Sequence, residues 1–159
     1  MSDTPHQDAP RVRFPPPLAF LGALLVGWAL DRWGTGWILP LHGFPRWLLG
    51  GMVLTAGIAF VAPALLSFRR ARENPEPWTP SKQLIVKGLY RYTRNPMYLG
   101  MSTAYLGLAI LLQTITALIF LPFVMWLIQA KVIAREEAYL LRQFGDGYAA
   151  YTKAVRRWI

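Results

Sequence analysis

Four apolar stretches, separated by short polar or basic segments, set the plan of the chain. The first, residues 17–30, is flanked by Trp28 and Trp33 and is short against the roughly 20 residues a helix needs to cross a bilayer. Residues 34–45 read as a loop of Gly, Pro and scattered apolar positions, and residues 47–66 predict a second span, closed by residues 67–70 and kinked near its end by Pro63. From Arg69 to Arg94 the chain turns polar and basic. Pro75, Pro77 and Pro80 hold its first part extended, and Lys82 to Val86 reads as a short strand or as an apolar segment lying on a membrane surface.

A third span is expected over residues 96–112 and a fourth over 115–133, with only Gln113 and Thr114 between them. So brief a polar break predicts a tight antiparallel hairpin, within which Pro122 is tolerable if neighbouring helices satisfy the freed carbonyl. The fourth helix has no breaker across residues 131–144 and is expected to continue into water until Gly145 and Gly147. Asp146 then caps a last helix carrying Tyr148, Tyr151 and Val155 on one face, with Trp158 near them and Lys153, Arg156 and Arg157 opposite. These elements predict an all-α integral membrane chain of about four transmembrane helices with a C-terminal cytosolic helical extension. The expected divisions are a disordered tail (1–16), two transmembrane helices (17–66), a cytosolic connector (67–95), a transmembrane hairpin (96–133) and a cytosolic helical cap (134–159).

Composition supports a membrane setting: 54% of the 159 residues are hydrophobic, seven are Trp, and only eight are acidic. The formal charge of +9 would suit nucleic acid on a wet basic face, but here the cations fall between apolar runs, so membrane topology explains them better. Of the 17 Lys and Arg residues, only Arg32 and Arg46 lie on the far side of the alternating spans. The positive-inside rule therefore puts both termini, the basic connector and the C-terminal segment in the cytoplasm, beneath an inner or plasma membrane. Residues 1–13 are not read as a secretory signal, because no small-residue cleavage site comes after them. The chain has no cysteine, which removes disulfides and thiolate chemistry, and His6 and His42 are isolated, so no metal site is expected.

The densest chemistry lies in residues 88–100, GLYRYTRNPMYLG. Asn95 and Pro96 form a helix start, with Asn as cap and Pro where no hydrogen bond is lost. Tyr90, Arg91, Tyr92 and Arg94 bring cations and aromatic faces to the same depth, which also suits a plain interfacial anchor. Downstream, Glu136, Glu137, Leu140, Phe144, Gly145, Tyr148 and Tyr151 form a second cluster. The hairpin returns this cluster to the rim where Pro96 begins. Carboxylates so placed in the second half of a long helix gain nothing from its dipole. They would form ion pairs with Arg135, Arg94 or Lys131, or bind a ligand.

Together the two segments resemble the G-x-Y-x-x-x-R-H-P-x-Y-x-G and E-E-x-x-L-x-x-x-F-G-x-x-Y-x-x-Y patterns of the isoprenylcysteine carboxyl methyltransferase family and its phospholipid methyltransferase relatives. That resemblance implies a membrane methyltransferase using S-adenosylmethionine (SAM), with a lipid-soluble or amphiphilic acceptor, membrane lipids as surroundings and no nucleic acid. It implies that Lys82, Gln83, Leu84 and Ile85 offer backbone contacts to the cofactor. Tyr90, Arg94, Asn95, Pro96, Met97 and Tyr98 would line it, with Glu136 and Glu137 closing the pocket. Methyl transfer needs positioning and exclusion of water rather than a metal or a covalent intermediate, and no catalytic residue is assigned. Two positions depart from the family: Asn95 stands where His is usual and cannot titrate near neutrality, and Val132 stands where the eukaryotic enzymes carry an Arg for the substrate carboxylate.

Two other readings compete. The C-terminal part of membrane sterol reductases, which bind NADPH, has a similar R-H-P-x-Y pattern, although those chains are longer. A non-catalytic membrane scaffold would use the same aromatic and basic residues only as anchors.

Overall fold

The computed structural model describes residues 15–159; Pro16 already opens the first helix, and residues 1–14 of the expected tail (1–16) lie outside the described residues. Among them every regular element is helical: α1 (Pro16–Leu30), α2 (Gly43–Ala71), α3 (Pro96–Leu111), α4 (Ile115–Ile128) and α5 (Ala134–Ala154). Short π turns come after α1 (Asp31–Thr35) and α4 (Gln129–Ile133), and a 3-10 turn (Gly88–Arg91) precedes α3. Residues 82–86 form no strand; Leu84 and Ile85 are instead half-buried against the rest of the chain. A strand needs a partner edge, and the described residues offer none beside this segment.

Two helices are long and apolar enough to cross a membrane: α2, with 29 residues, and the continuous stretch Ile115–Ala154, with 40. Both have a mean hydropathy of 2.0 in their most apolar window. α3 is apolar but shorter. Large apolar side chains point outward all along α1, α2 and α4, among them Leu18, Leu21, Met52, Ile58, Phe123 and Trp126. An outer surface of this kind suits lipid better than water.

α2 is longer than its hydrophobic run at both ends. Pro45 sits in its first turn, where N–H groups have no helical acceptor. The far end closes with Arg72 in the left-handed region (φ 55°), its N–H on Arg69 O and the Glu73 N–H on Phe68 O, a Schellman closure with Arg in the usual place of Gly. The basic residues 69–70 thus belong to the helix, where they favour its C-terminal dipole.

α2 lies against α3 at backbone contact. Gly50 and Gly57 on one helix meet Gly107 and Gly100 on the other, and a Cβ at Gly57 or Gly107 would come within 2.4 Å of a backbone nitrogen opposite. Small residues spaced in this way let apolar helices gain dispersion contact where no hydrophobic force acts between them. α1 packs on α4 by the same device, with Gly27 against Ala117. Tyr105 of α3 ties the hairpin by donating to Ala117 O at 2.8 Å.

At the end of the bundle away from the 88–100 segment, Asp31 fixes α1 to α4. Its carboxylate accepts from Thr35 Oγ1 (3.0 Å), Thr114 Oγ1 (2.6 Å), the Thr116 N–H (3.0 Å) and Thr116 Oγ1. A buried carboxylate with that many donors, at a helix N-terminus, is stable without a cation. The hairpin turn is made by Gln113 in the left-handed region (φ 55°), whose amide donates to Leu41 O (2.9 Å) and accepts from Arg46. The third and fourth helices are therefore antiparallel neighbours, and both return the chemistry-bearing segments to one rim.

Candidate cofactor site

At that rim, the C-terminal end of α2, the connector, the 3-10 turn, the start of α3 and both halves of α5 enclose a cavity of about 890 Å³ including its open mouth. Two backbone irregularities aim the α5 side chains. The π turn at Gln129–Ile133 inserts an extra residue into the helical register, which rotates the residues beyond it by roughly 100°. Consequently Glu136 and Glu137, just past the π turn within the continuous stretch Ile115–Ala154, face the cavity. Gly145 then adopts φ 50° and ψ −125°, a conformation closed to side chains with a Cβ, and bends α5 so that Tyr148 and Tyr151 line the cavity. The helix that enters from the membrane side thus ends at Gly145, as expected, and a second helical segment runs from there to Ala154.

The carboxylates have different surroundings. Glu136 accepts from the Tyr98 hydroxyl at 2.9 Å, joining α5 to the first turn of α3. Burial pushes its carboxyl up to about 7; the Tyr98 hydrogen bond opposes this shift, and the neighbouring Glu137 charge adds to it. Glu137 is instead neutralised: Arg94 lies at 3.2 Å, and Arg157 engages both oxygens through Nε (3.0 Å) and Nη2 (2.5 Å). Such bidentate guanidinium pairs are the stronger and more directional kind. Arg94 keeps its Nε buried without a partner, a donor still open to a ligand acceptor beside the cavity.

The aromatic wall is hydrogen-bonded as well. Tyr151 donates to Tyr90 O at 2.7 Å, and Tyr139 accepts the Ser81 N–H at 2.9 Å, which holds the connector against α5. Burial raises the Tyr90 phenol well above its ordinary range and the Tyr148 and Tyr151 phenols to about 12, so all three stay protonated at neutral pH.

Of the residues that the sequence singles out, Gln83, Leu84, Ile85, Tyr90, Arg94, Asn95, Met97, Tyr98, Glu136 and Glu137 all line this cavity. Lys82 and Pro96 do not: the Lys82 N–H turns to Glu73 (3.2 Å), and Pro96 is fully buried as the first residue of α3. Asn95 does not cap α3 as its sequence position suggests. It is buried, and its amide donates to Arg157 O at 3.1 Å, so the side chain serves the C-terminal tail and leaves the helix end uncapped.

Sequence reading missed Phe68, residues 74–77, Thr79, Ser81 and Tyr139 as lining residues. The run of prolines at 75, 77 and 80 marked this part as extended, and that was the available signal. The last helix also ends earlier than expected: Val155 is extended (φ −126°, ψ 130°), and Arg157 turns to Glu137 instead of lying on an outer face.

Residues 45–147, nearly two thirds of the chain, match the family model described as phospholipid methyltransferase. The protein-S-isoprenylcysteine O-methyltransferase of Schizosaccharomyces pombe is 38% identical over 72 residues, covering 45% of this chain and 30% of that protein. The Dictyostelium discoideum protein of the same name is 26% identical over 136 residues (84% and 57%). Protein-S-isoprenylcysteine O-methyltransferase B of Arabidopsis thaliana is 27% identical over 124 residues (75% and 58%). The chain thus spans between about a third and somewhat over a half of these relatives' lengths. No solved structure matches it. Because the matched segment takes in the start of α3 together with Glu136 and Glu137 and covers well over half the chain, the chain belongs to the phospholipid methyltransferase family.

Proposed function

We propose that this chain is an integral membrane methyltransferase that uses SAM and acts on a lipophilic or amphiphilic acceptor. The observation that carries the reading is Glu136: a carboxylate lining an aromatic cavity, with a neutral tyrosine as its hydrogen-bond donor and its neighbour Glu137 taken up by two arginines. Such a group is complementary to a cationic ligand. The donor set fits SAM: the orphaned Arg94 Nε suits an acceptor oxygen, Glu136 suits the sulfonium or ribose hydroxyls, and the tyrosines suit a nucleoside face. SAM, held by these residues, would supply an electrophilic methyl group for the acceptor's lone pair, with its sulfur as the leaving group.

The chain's own residues orient and shield. Tyr98 fixes Glu136, Arg94 and Arg157 fix Glu137, and Tyr139 holds the connector over the cavity. Together they exclude water from a reaction whose main demand is alignment. Four spans, with the cavity on the cytoplasmic rim, are part of this proposal, and both the apolar outer surface of α1 to α4 and the basic connector support it. A prenylated or lipid-borne carboxylate, a phospholipid amine and a hydrophobic thiol are all acceptors the site would admit. The named relatives are methyltransferases, which favours SAM over NADPH.

The test is calorimetric titration of SAM and of NADPH into the purified protein in detergent, and then transfer of labelled methyl groups into membrane lipid extract. SAM binding that weakens at least about tenfold in Glu136→Gln, a loss of roughly 1.4 kcal/mol, supports the reading. Unchanged SAM affinity in Glu136→Gln and Tyr98→Phe would remove it, as would binding of NADPH alone.

A further inference from the structure

The last residues of the chain lie outside both sequence motifs, yet they are bonded to residues that form the cavity wall. Arg157 O accepts from Thr93 Oγ1 (3.0 Å) and Asn95 Nδ2 (3.1 Å), the Arg94 N–H donates to Arg156 O (2.9 Å), and Trp158 Nε1 donates to Gln129 Oε1 (3.0 Å). The tail therefore threads between the loop before α3 and the π turn before α5. Its one charged group turned toward the cavity wall, the Arg157 guanidinium, sits on both oxygens of Glu137.

We propose that Arg157 is a positioning residue of the cofactor cavity: its bidentate pair with Glu137, shared with Arg94, neutralises that carboxylate and leaves Glu136 as the one free to meet a cationic ligand. Two adjacent carboxylates at a cavity wall repel each other, and the second to ionise is held back by the first. Two guanidiniums on Glu137 relieve that repulsion without placing a cation against Glu136. The groups that face Glu136 are Tyr98 from α3, Tyr90 from the 3-10 turn, and Glu137 and Tyr148 from α5. The tyrosines stay protonated, so the Glu137 charge is the variable that Arg157 controls. Only the identity of the ligand rests on the methyltransferase reading; the charge relation between Arg157, Glu137 and Glu136 does not.

The experiment tracks the Glu136 carboxyl by carbon-13 NMR across pH 5 to 9 in detergent, with its resonance identified by its loss in Glu136→Gln. Arg157→Gln is expected to raise the Glu136 midpoint by roughly half a pH unit or more, and Arg157→Lys to restore most of the difference. Glu137→Gln, which does not depend on the Arg157 variants folding, is expected to lower the midpoint only slightly, because that charge is already compensated. A wild-type midpoint in folded Arg157→Gln overturns the proposal, and so does a fall of about a full unit in Glu137→Gln. In parallel, SAM titration at pH 6, where Glu136 is mostly protonated, is expected to show about threefold weaker binding in Arg157→Gln and recovery in Arg157→Lys. Failure of the wild-type protein to bind SAM sinks the methyltransferase reading instead, and the NMR titration still decides the role of Arg157.

Discussion

Binding of a cationic ligand at Glu136 is expected to depend on pH, and the sign comes from its surroundings. A carboxyl raised to about 7 is partly protonated in the free protein at neutral pH, and a bound cation favours the ionised form. Binding therefore releases a proton, and SAM affinity should rise as pH increases through about 7 and level off above it; calorimetry in buffers of different ionisation enthalpy measures the released proton directly. The same shift acts on stability in the opposite sense. Because the folded state holds this proton more tightly than the unfolded one, Glu136 weakens the fold as pH rises from its ordinary value of 4.5 to about 7. Tyr98→Phe removes the hydroxyl that opposes the shift, so it should move the pH midpoint of binding upward. Both residues were visible in the sequence as members of two motifs, but nothing there distinguished Glu136 from Glu137. That distinction depends on Arg157, 20 residues further on, whose tail position gave no hint of it.

At the level of elements, the α2–α3 contact and the two ends of the hairpin bear most of the constraint. Replacing Gly57 with Leu puts side-chain atoms where a Cβ alone would stand 2.4 Å from Ala104 N, so the helices must separate. We expect a loss of about 1–3 kcal/mol or more, read as an earlier thermal transition in detergent, whereas the same change at Gly51, which faces open space, should be far milder. Asp31→Ala strands the Thr116 N–H and the hydroxyls of Thr114 and Thr116, each worth about 1–3 kcal/mol when left unsatisfied. That loss should appear in stability with SAM affinity largely kept, since Asp31 sits at the opposite end of the bundle. Gly145→Ala strains φ 50°, ψ −125° by about 1–3 kcal/mol, and because it loosens Tyr148 and Tyr151 it should weaken SAM binding as well. The hairpin and its turn at Gln113 were legible from a two-residue polar break. The π turn was not, because Gln129–Ile133 reads as unbroken helix and only packing in three dimensions reveals an inserted residue.

For the whole molecule, the arrangement across the membrane is the decisive question, and the absence of cysteine makes it easy to ask. Single cysteines at the exposed positions Gly34 and Arg142 should react with a membrane-impermeant maleimide from opposite sides of sealed vesicles, Arg142→Cys from the cytoplasmic side. Labelling of both from one side would contradict the four-span arrangement. The amino-acid order by itself determined the apolar periods, the hairpin and the two clusters of candidate site residues. Those properties are local, set by a residue's own chemistry and its near neighbours in the chain. Only the tertiary structure decided that a connector of prolines walls the cavity, that Asn95 serves the tail instead of its helix, and that Arg157 reaches Glu137. Those are contacts between segments distant in sequence, and they arise from backbone bends at a π turn and at Gly145 that no short-range pattern encodes.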